Sequence, residues 1–297
     1  MGSNNQGSGH RKALKIYSSE FILPLNKFGR MGTINNIFDG SFNIKIKDQL
    51  IHVGAYRGYV SGFGSYIDRS DYLNILTYVD IGNRVRVTES SLTFYSGRGI
   101  ETFDYQVLPI DLKVRTVPEH AWLVGQIQLA YDEAVRDGLR IGLRTEAPAF
   151  REVSEIIRRQ RVTEAQWNQV IKYMVGRGRG LTPSGDDMLV GYLTVLLMFA
   201  PARAQMLSNL LHARKLSTTD VSLAYLLASS QGYVSSPLHE FYQVVEKVSL
   251  GQLLGEEAHK ALVKAIQRVM RIGHTSGKDM TYGIGLGLAY VRENEVE

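Results

Sequence analysis

The chain of 297 residues contains no cysteine. This absence excludes disulfide bonds, a thiolate nucleophile and a zinc site built on thiolates. The chemistry of the protein must therefore come from oxygen, nitrogen and backbone groups. The rest of the composition, with 44% hydrophobic and 21% charged residues, is typical of a globular protein and excludes the disordered and fibrous classes.

The sequence also lacks an apolar run long enough to cross a membrane. The longest one, Met188 to Ala200, is interrupted by Gly191 and Thr194 and is shorter than the roughly 20 residues that a span requires. It predicts a buried helix instead. Residues 1–12 are rich in glycine, serine and asparagine at their start and have no apolar signal region. We therefore expect a cytoplasmic protein in which residues 1–12 are a disordered tail or a cloning remnant.

The charge balance is only moderately basic. A net charge of +5 and an isoelectric point of about 9.2 are compatible with an anionic ligand. The basic residues are scattered, apart from small groups near Arg158 and Arg177, and they do not form the continuous stripe that is typical of nucleic-acid binding. We expect neither a nucleic-acid nor a membrane partner, although the isoelectric point keeps nucleic-acid binding as a rival hypothesis.

The N-terminal part has the alternating pattern of β-strands. Two predicted hairpins join residues 42–46 to 51–53 and residues 85–87 to 92–94, and a further strand is predicted over Ile110, Leu112 and Val114. The glycine-rich segment Gly54–Gly64, which contains Tyr59, predicts a loop that is either structural or ligand-facing. These features predict a mostly antiparallel β region.

Beyond Pro118 the hydrophobic period becomes helical. Ala258, Leu262, Ile266 and Val269, for example, share one helix face. Strands followed by helices indicate an α+β fold, with a β-rich region over residues 13–117 and a helical region over 118–297. The predicted helices cover residues 119–138, 150–160, 163–175, 187–200, 202–211, 219–229, 238–248, 256–269 and 279–292.

Two similar turns stand out in the helical region. The segments Ser184-Gly185-Asp186-Asp187-Met188 and Ser276-Gly277-Lys278-Asp279-Met280 share the pattern Ser-Gly-x-Asp-Met-x-x-Gly, which Gly191 and Gly283 complete. Each turn precedes a predicted apolar helix. A repeat that builds one site must converge, so we expect the two turns to lie close together.

The chemistry of these turns suits an anion. Glycines allow the backbone to approach a ligand closely, and a helix start offers N–H groups and the positive end of a dipole. Arg177 and Arg179 would add charged donors. The structural alternative is that the Ser and Asp residues cap helices and the glycines serve packing. Asp186 and Asp187 could ligate Mg²⁺, but no third carboxylate lies at a recognisable spacing, so no metal is expected.

At these turns the chain resembles the AllH (YlbF) type family of allantoin degradation, formerly a domain of unknown function. The resemblance rests on Gly180 to Asp187, on the middle segment Ser217 to Gly232 and on Gly273 to Asp279, with a weaker match at Gly32 to Phe38. It implies a place in purine catabolism beside FdrA-type and AllG-type proteins. Together these proteins are implicated in oxamate carbamoyltransferase activity.

The resemblance implies transfer of a carbamoyl group between oxalurate and phosphate, giving oxamate and carbamoyl phosphate, or the reverse. No cofactor is needed for this transferase reaction. The alternative is a non-catalytic anion-binding or scaffolding subunit of an FdrA-type complex. The candidate catalytic residues are Asp187, Asp279, His274 and Lys278. The candidate substrate-binding residues are Arg177, Arg179, Gly180, Thr182, Ser184, Gly185, Asp186, Thr275, Ser276 and Gly277.

Overall fold

The computed structural model describes residues 13–23, 30–118 and 121–294; the expected tail over residues 1–12 lies outside this part. The described chain forms two compact units. The barrel unit comprises the chain up to Arg57 together with Gly64–Ile110, and the helical unit comprises Gly58–Phe63 together with the chain from Asp111 onward. With 49% helix and 20% strand, the predicted α+β class is confirmed.

The barrel unit is a closed sheet in the strand order β1-β5-β4-β3-β2-β6-β7-β8. Neighbouring strands are antiparallel except for the parallel pairs β1–β8 and β4–β5, so the predicted β region is mostly antiparallel as expected. The unit also contains helix α1, Arg69–Leu76. The strands are β1 Leu14–Ser19, β2 Arg30–Phe38, β3 Ser41–Ile46, β4 Gln49–Gly54, β5 Gly64–Tyr66, β6 Arg84–Val87, β7 Ser91–Ser96 and β8 Gly99–Ile110.

Both predicted hairpins are confirmed. In the β3–β4 hairpin Ile46 pairs with Gln49, and Lys47 adopts the left-handed φ of 54° that this tight turn requires. In the β6–β7 hairpin Val85 pairs with Phe94. The inward side chains of the barrel fill it, since its interior retains a cavity of only about 20 Å³. The barrel is therefore a packed core.

The strand predicted over Ile110, Leu112 and Val114 is wrong beyond its first residue, because β8 ends at Ile110. Leu112 and Val114 are both buried, which explains their alternation. They belong to the helical unit, where Val114 N–H donates to the Gly232 carbonyl over 2.9 Å. Alternating buried and exposed residues thus gave this extended segment the sequence pattern of a strand, although it has no continuous hydrogen-bond ladder with a neighbouring strand.

The helical unit contains all the helices predicted beyond Pro118. Two of them begin about one turn earlier than expected, at Ser184 and Ser276 instead of Asp187 and Asp279, because tertiary packing outweighs the low helix propensity of Ser and Gly. Among the described residues, no helix has both the length and the hydropathy needed to cross a bilayer. The helices are α2 Ala121–Ala134, α3 Pro148–Arg158, α4 Glu164–Met174, α5 Ser184–Phe199, α6 Pro201–His212, α7 Asp220–Ser230, α8 Ser236–Ser249, α9 Gly255–Met270 and α10 Ser276–Glu293.

Helices α5 and α10 cross in close contact at the last glycine of each repeat. A Cβ added to Gly191 would lie 1.9 Å from the Met280 carbonyl oxygen, and one added to Gly283 would lie 2.0 Å from the Met188 carbonyl oxygen. The two contacts join equivalent positions of the repeat. The helix pair therefore has an approximate internal twofold relation.

The first glycine of each repeat makes a similar contact with the helix that precedes it. A Cβ on Gly185 would lie 2.0 Å from the Met174 carbonyl oxygen, and one on Gly277 would lie 2.1 Å from the Val269 carbonyl oxygen. Each N-terminus is thus held against the end of α4 or α9. This fixes the positions of the polar side chains that follow.

A buried arginine, Arg203, joins the C-terminal end of α3 to Tyr192 in α5. Arg203 donates through Nη2 to the Ile157 carbonyl over 2.7 Å and through Nε to the Tyr192 hydroxyl over 2.8 Å. Its guanidinium also lies over the rings of Trp167 and Tyr290, at 4.9 and 4.0 Å. The charge is compensated by the carbonyl groups at the C-terminal end of α3 and by the aromatic faces.

We expect Gly191→Ala to lower the melting temperature strongly, because its methyl group would overlap a backbone carbonyl and force α5 and α10 apart. Overpacking of this kind costs about 1–3 kcal/mol or more. The matched control is Gly125→Ala in α2, where an added Cβ meets nothing within 4 Å and the gain in helix propensity is about 1 kcal/mol. Thermal denaturation of both variants tests this. An unchanged melting temperature for Gly191→Ala would contradict the crossing geometry.

Candidate functional site

The two repeated turns meet at the N-termini of α5 and α10. The Thr182 and Ser276 hydroxyls, one from each turn, form a hydrogen bond of 2.7 Å. This contact joins the two ends of the helices that cross at Gly191 and Gly283. The turns therefore form one site, as the repeat predicts.

The two repeated carboxylates are buried and are contacted by the opposite turn. Asp187 is 1% exposed and Asp279 0% exposed. The Ser276 and Thr182 hydroxyls lie near Asp187 and lower its pKa, and the Ser184 hydroxyl does the same for Asp279. Asp279 Oδ1 accepts a hydrogen bond from Gly142 N–H over 2.9 Å. Within the described chain, the Oδ2 atom of each carboxylate still has no hydrogen-bond partner. Such atoms are costly in a folded protein unless a ligand or water meets them.

Both carboxyl groups have raised pKa values. Burial raises the pKa of Asp187 well above its ordinary value, the Ser276 hydroxyl opposes that shift, and the charge of Asp279 adds to it. Burial also raises the pKa of Asp279, but the Gly142 N–H, the Ser184 hydroxyl and the Lys278 charge all lower it. A cation thus lowers the pKa of Asp279, whereas none of the influences that lower the pKa of Asp187 is a cation.

None of the four repeated Ser and Asp side chains caps its own helix. The residues at the N-cap positions are Pro183 and Thr275, and neither forms a side-chain capping bond. Ser184 and Ser276 are already the first helical residues. The capping hypothesis therefore does not account for these polar groups.

The backbone N–H groups of the turns are mostly engaged. Gly185 N–H donates to the Arg177 carbonyl over 2.8 Å, and Gly277 N–H donates to the Ile272 carbonyl over 2.9 Å. These two glycines thus serve close packing and turn closure. The donors that face the centre of the site are side-chain hydroxyls rather than the converging amides that the glycine content suggested.

Asp186 lies in a separate, fully bonded network. Its Oδ1 accepts from Gly176 N–H over 2.9 Å, and its Oδ2 accepts from the Thr218 hydroxyl and, over 2.7 Å, from the Ser222 hydroxyl. The residue joins the start of α5 to the Gly176 turn and to α7. Both carboxylate oxygens of Asp186 thus have partners within the protein.

The remaining predicted residues line the rim of the site. Arg177, Arg179, Gly180 and His274 are exposed, whereas Thr275 and Lys278 are half-buried. Arg177 is anchored through Nε to the Tyr173 carbonyl over 2.6 Å. Lys278 is the rim cation whose charge reaches Asp279. Among the residues that the structure describes, no three His, Asp or Glu side chains group to hold a metal ion.

The loop between α2 and α3 contributes a contact that the sequence analysis missed. Gly142 N–H donates to Asp279 Oδ1 over 2.9 Å. A Cβ on Gly142 would lie 2.0 Å from the Ser184 Oγ, so a larger residue here would displace the Ser184 hydroxyl. The exposed Arg140 and Arg144 flank it in the same loop. A lone glycine between two arginines carries no distinctive signal, which is why it was not predicted.

Two tyrosines that were not assigned to the site also adjoin Asp187. The hydroxyls of Tyr59 and Tyr225 hydrogen-bond to each other. Burial raises the pKa of Tyr59 to about 12 and that of Tyr225 well above 10, and the charge of Asp187 contributes to both shifts. Tyr59 comes from the glycine-rich loop whose role the sequence left open, and this part of the loop belongs to the helical unit.

Residues 174–288 match the family model described as oxamate carbamoyltransferase subunit AllH. The matched range begins at the end of α4, contains both turns and most of α10, and confirms the resemblance. The family description implies a subunit of a carbamoyltransferase that works with partner proteins. No solved structure matches the chain.

We expect Asp187→Asn to change how stability depends on pH. Folding raises the pKa of this group above its ordinary value of 3.8, so the proton stabilises the native state fully below that value and this stability is lost as pH rises through the folded pKa. Asn does not titrate. The melting temperature of the variant relative to the parent should therefore increase between about pH 4 and pH 8. Scanning fluorimetry across this range tests the sign, and a constant difference would contradict it.

Proposed function

We propose, from the premise that residues 174–288 form an AllH domain, that this chain is a subunit of an oxamate carbamoyltransferase. Its reaction would convert oxalurate and phosphate into oxamate and carbamoyl phosphate, or the reverse. The observation that carries the proposal is the pair of buried carboxyl groups, Asp187 and Asp279, each with an unpartnered Oδ2 at a helix N-terminus.

The reaction requires one proton to change place. When a phosphate oxygen attacks the carbamoyl carbon of oxalurate, the bond from that carbon to the amide nitrogen breaks. The departing nitrogen becomes the NH₂ of oxamate and takes a proton, while phosphate loses one. A buried carboxyl group with a raised pKa is suited to deliver such a proton, and in the reverse direction to accept it.

Asp187 and Asp279 differ in a way that supports separate roles. Burial raises the pKa of Asp187, and none of the influences that lower its pKa is a cation. Asp279 is influenced by Lys278 and bonded by Gly142 N–H. We assign proton transfer to Asp187 and orientation of the reactants to Asp279, with Lys278 holding an anionic group of the substrate.

The hydroxyls and rim cations complete the proposed chemistry. The Ser184 hydroxyl, and the one proton that the Thr182–Ser276 hydrogen bond leaves unused, would supply O–H donors for the oxyanion that forms as the carbamoyl carbon is attacked. Arg177 and Arg179 would attract phosphate or carbamoyl phosphate to the opening. FdrA-type and AllG-type subunits are the proposed partners.

One observation favours the alternative of a non-catalytic anion-binding or scaffolding subunit. The rim next to the turns exposes 48% of Leu181, a surface that a partner protein could cover. In that case the partner would hold the reacting groups, and the carboxylates of this chain would not be needed for transfer. Activity of the carboxylate variants decides between the two functions.

We expect Asp187→Asn and Asp279→Asn each to reduce carbamoyl transfer at least about a hundredfold, the scale of a lost general acid or base. The measurement is carbamoyl phosphate formation from oxalurate and phosphate by the chain reconstituted with FdrA-type and AllG-type partners. Asp132→Asn, on the exposed surface of α2, is the matched control. Full activity in both site variants would leave the scaffolding alternative.

We expect Lys278→Ala to weaken phosphate or carbamoyl phosphate binding about ten- to a hundredfold, because hydrogen bonds to charged groups contribute about 1.5–3 kcal/mol. Calorimetric titration of the reconstituted complex measures this change. Lys264→Ala removes an exposed lysine from α9 and should bind like the parent. Equal affinities for Lys278→Ala and the parent would remove Lys278 from the site.

A further inference from the structure

A set of buried hydroxyl groups, here named the hydroxyl pocket, lies next to the repeated turns in the helical unit. The loop around Val60 runs beside Ser236, with Ser236 N–H bonded to the Val60 carbonyl at 2.8 Å and Val60 N–H bonded to Ser236 Oγ at 3.0 Å. This pairing brings one side of the pocket together. The members of the pocket are Tyr59, Ser61, Tyr225, Ser229 and Ser235.

The pocket contains more hydrogen-bonding capacity than the protein uses. Ser61 and Ser229 are 0–1% exposed, and among the described residues their hydroxyl oxygens have no partner. Ser235 is 1% exposed and interacts with the Tyr59 hydroxyl. The Tyr59 and Tyr225 hydroxyls share one hydrogen bond, which uses one of their two protons. Leaving buried polar groups unpaired costs about 1–3 kcal/mol each. A polar ligand is therefore the natural complement of this pocket.

The pocket adjoins the open acceptor of Asp187. Ser222 on α7 bonds to Asp186, the neighbour of Asp187, at 2.7 Å, and Tyr225 follows Ser222 by about one helical turn. Phe63 packs edge-on against the Tyr225 ring, with the centroids 4.7 Å apart, and fixes its orientation. The charge of Asp187 acts on both Tyr59 and Tyr225, so the two tyrosine hydroxyls and the unpartnered Asp187 Oδ2 lie near one another.

We infer that the hydroxyl pocket and Asp187 recognise an uncharged carbamoyl group, in which the oxygen accepts from the Tyr59–Tyr225 pair and the NH₂ donates to Asp187 Oδ2. This inference rests on the proposed function and specifies which part of the substrate each residue contacts. A primary amide is the group that presents an acceptor and donors side by side in one plane. A carboxylate at the same place would put two acceptors against Asp187.

The pocket contains no cationic residue, which separates it from the Lys278 rim. The anionic end of a substrate would then face Lys278, while its carbamoyl end enters the pocket. Oxamate carries both groups, an amide and a carboxylate, joined directly. The inference therefore places the carboxylate of oxamate toward Lys278 and its amide in the hydroxyl pocket.

Binding of oxamate and of oxalate distinguishes amide recognition from general anion binding. The two molecules have similar shape, but oxalate replaces the amide with a second carboxylate. Calorimetric titration should give an oxamate affinity at least about tenfold above that for oxalate, the scale of one well-placed hydrogen bond. We would measure it for the isolated chain and for the reconstituted complex. Equal affinities, or no binding of oxamate to either, would overturn the inference.

Phenylalanine variants test the residues directly. Tyr59→Phe and Tyr225→Phe should each lower oxamate affinity about three- to tenfold, as expected for one hydrogen bond, and leave oxalate affinity unchanged. Tyr131→Phe, in α2 of the same helical unit, is the matched control and should bind both ligands like the parent. Ser235→Ala is a second, smaller change if a tyrosine variant fails to fold. Unaltered oxamate selectivity in all folded pocket variants would refute the assignment.

The outcome is separable from that of the proposed reaction. Amide selectivity that is lost in the pocket variants, combined with no carbamoyl transfer by the parent complex, would support the pocket and refute the reaction. Carbamoyl transfer that persists while the parent shows no preference for oxamate would refute the pocket and leave the reaction standing.

Discussion

The contact on which the site depends is the crossing of α5 and α10 at Gly191 and Gly283. There the two backbones approach so closely that no side chain fits between them. This distance brings both helix N-termini to one place and buries the polar residues of their first turns. Burial in turn removes Asp187 and Asp279 from water and raises their pKa values. The raised pKa values of the two carboxyl groups therefore follow from a packing constraint between two glycines.

Periodicity and repetition carried most of what the sequence could predict. The change from a period of two to a helical period predicted the α+β class, and the shared Ser-Gly-x-Asp-Met-x-x-Gly pattern predicted that two distant turns form one site. Barrel closure was not predictable from the same pattern, because closure depends on the parallel pairing of β1 with β8, which joins the two ends of the unit and leaves no local signature. The strand predicted at Leu112 failed because alternate burial has several structural causes.

The residues of the site were predicted unevenly for a related reason. Those within the repeat could be found by comparing the chain with itself. Gly142, Tyr59 and Tyr225 come from three other segments and contribute through single atoms, a backbone N–H or a hydroxyl. Asp186 shows the opposite case, since it lies within the motif yet bonds only to structural partners. Position in the motif therefore predicted which residues meet at the turns, but not how each of them is bonded.

The position at which the two repeats differ gives the site its direction. Asp186 and Lys278 occupy equivalent places, but Asp186 is bonded within the protein, whereas Lys278 is half-buried at the rim and acts on Asp279. Two identical turns would present equal surfaces to a ligand and would fit a symmetric molecule. Lys278 places a cation within the second turn itself, whereas the first turn has the fully bonded Asp186 at that position, so the two turns present different surfaces. Divergence at a single position of the repeat is therefore what makes the approximately twofold helix pair chemically asymmetric.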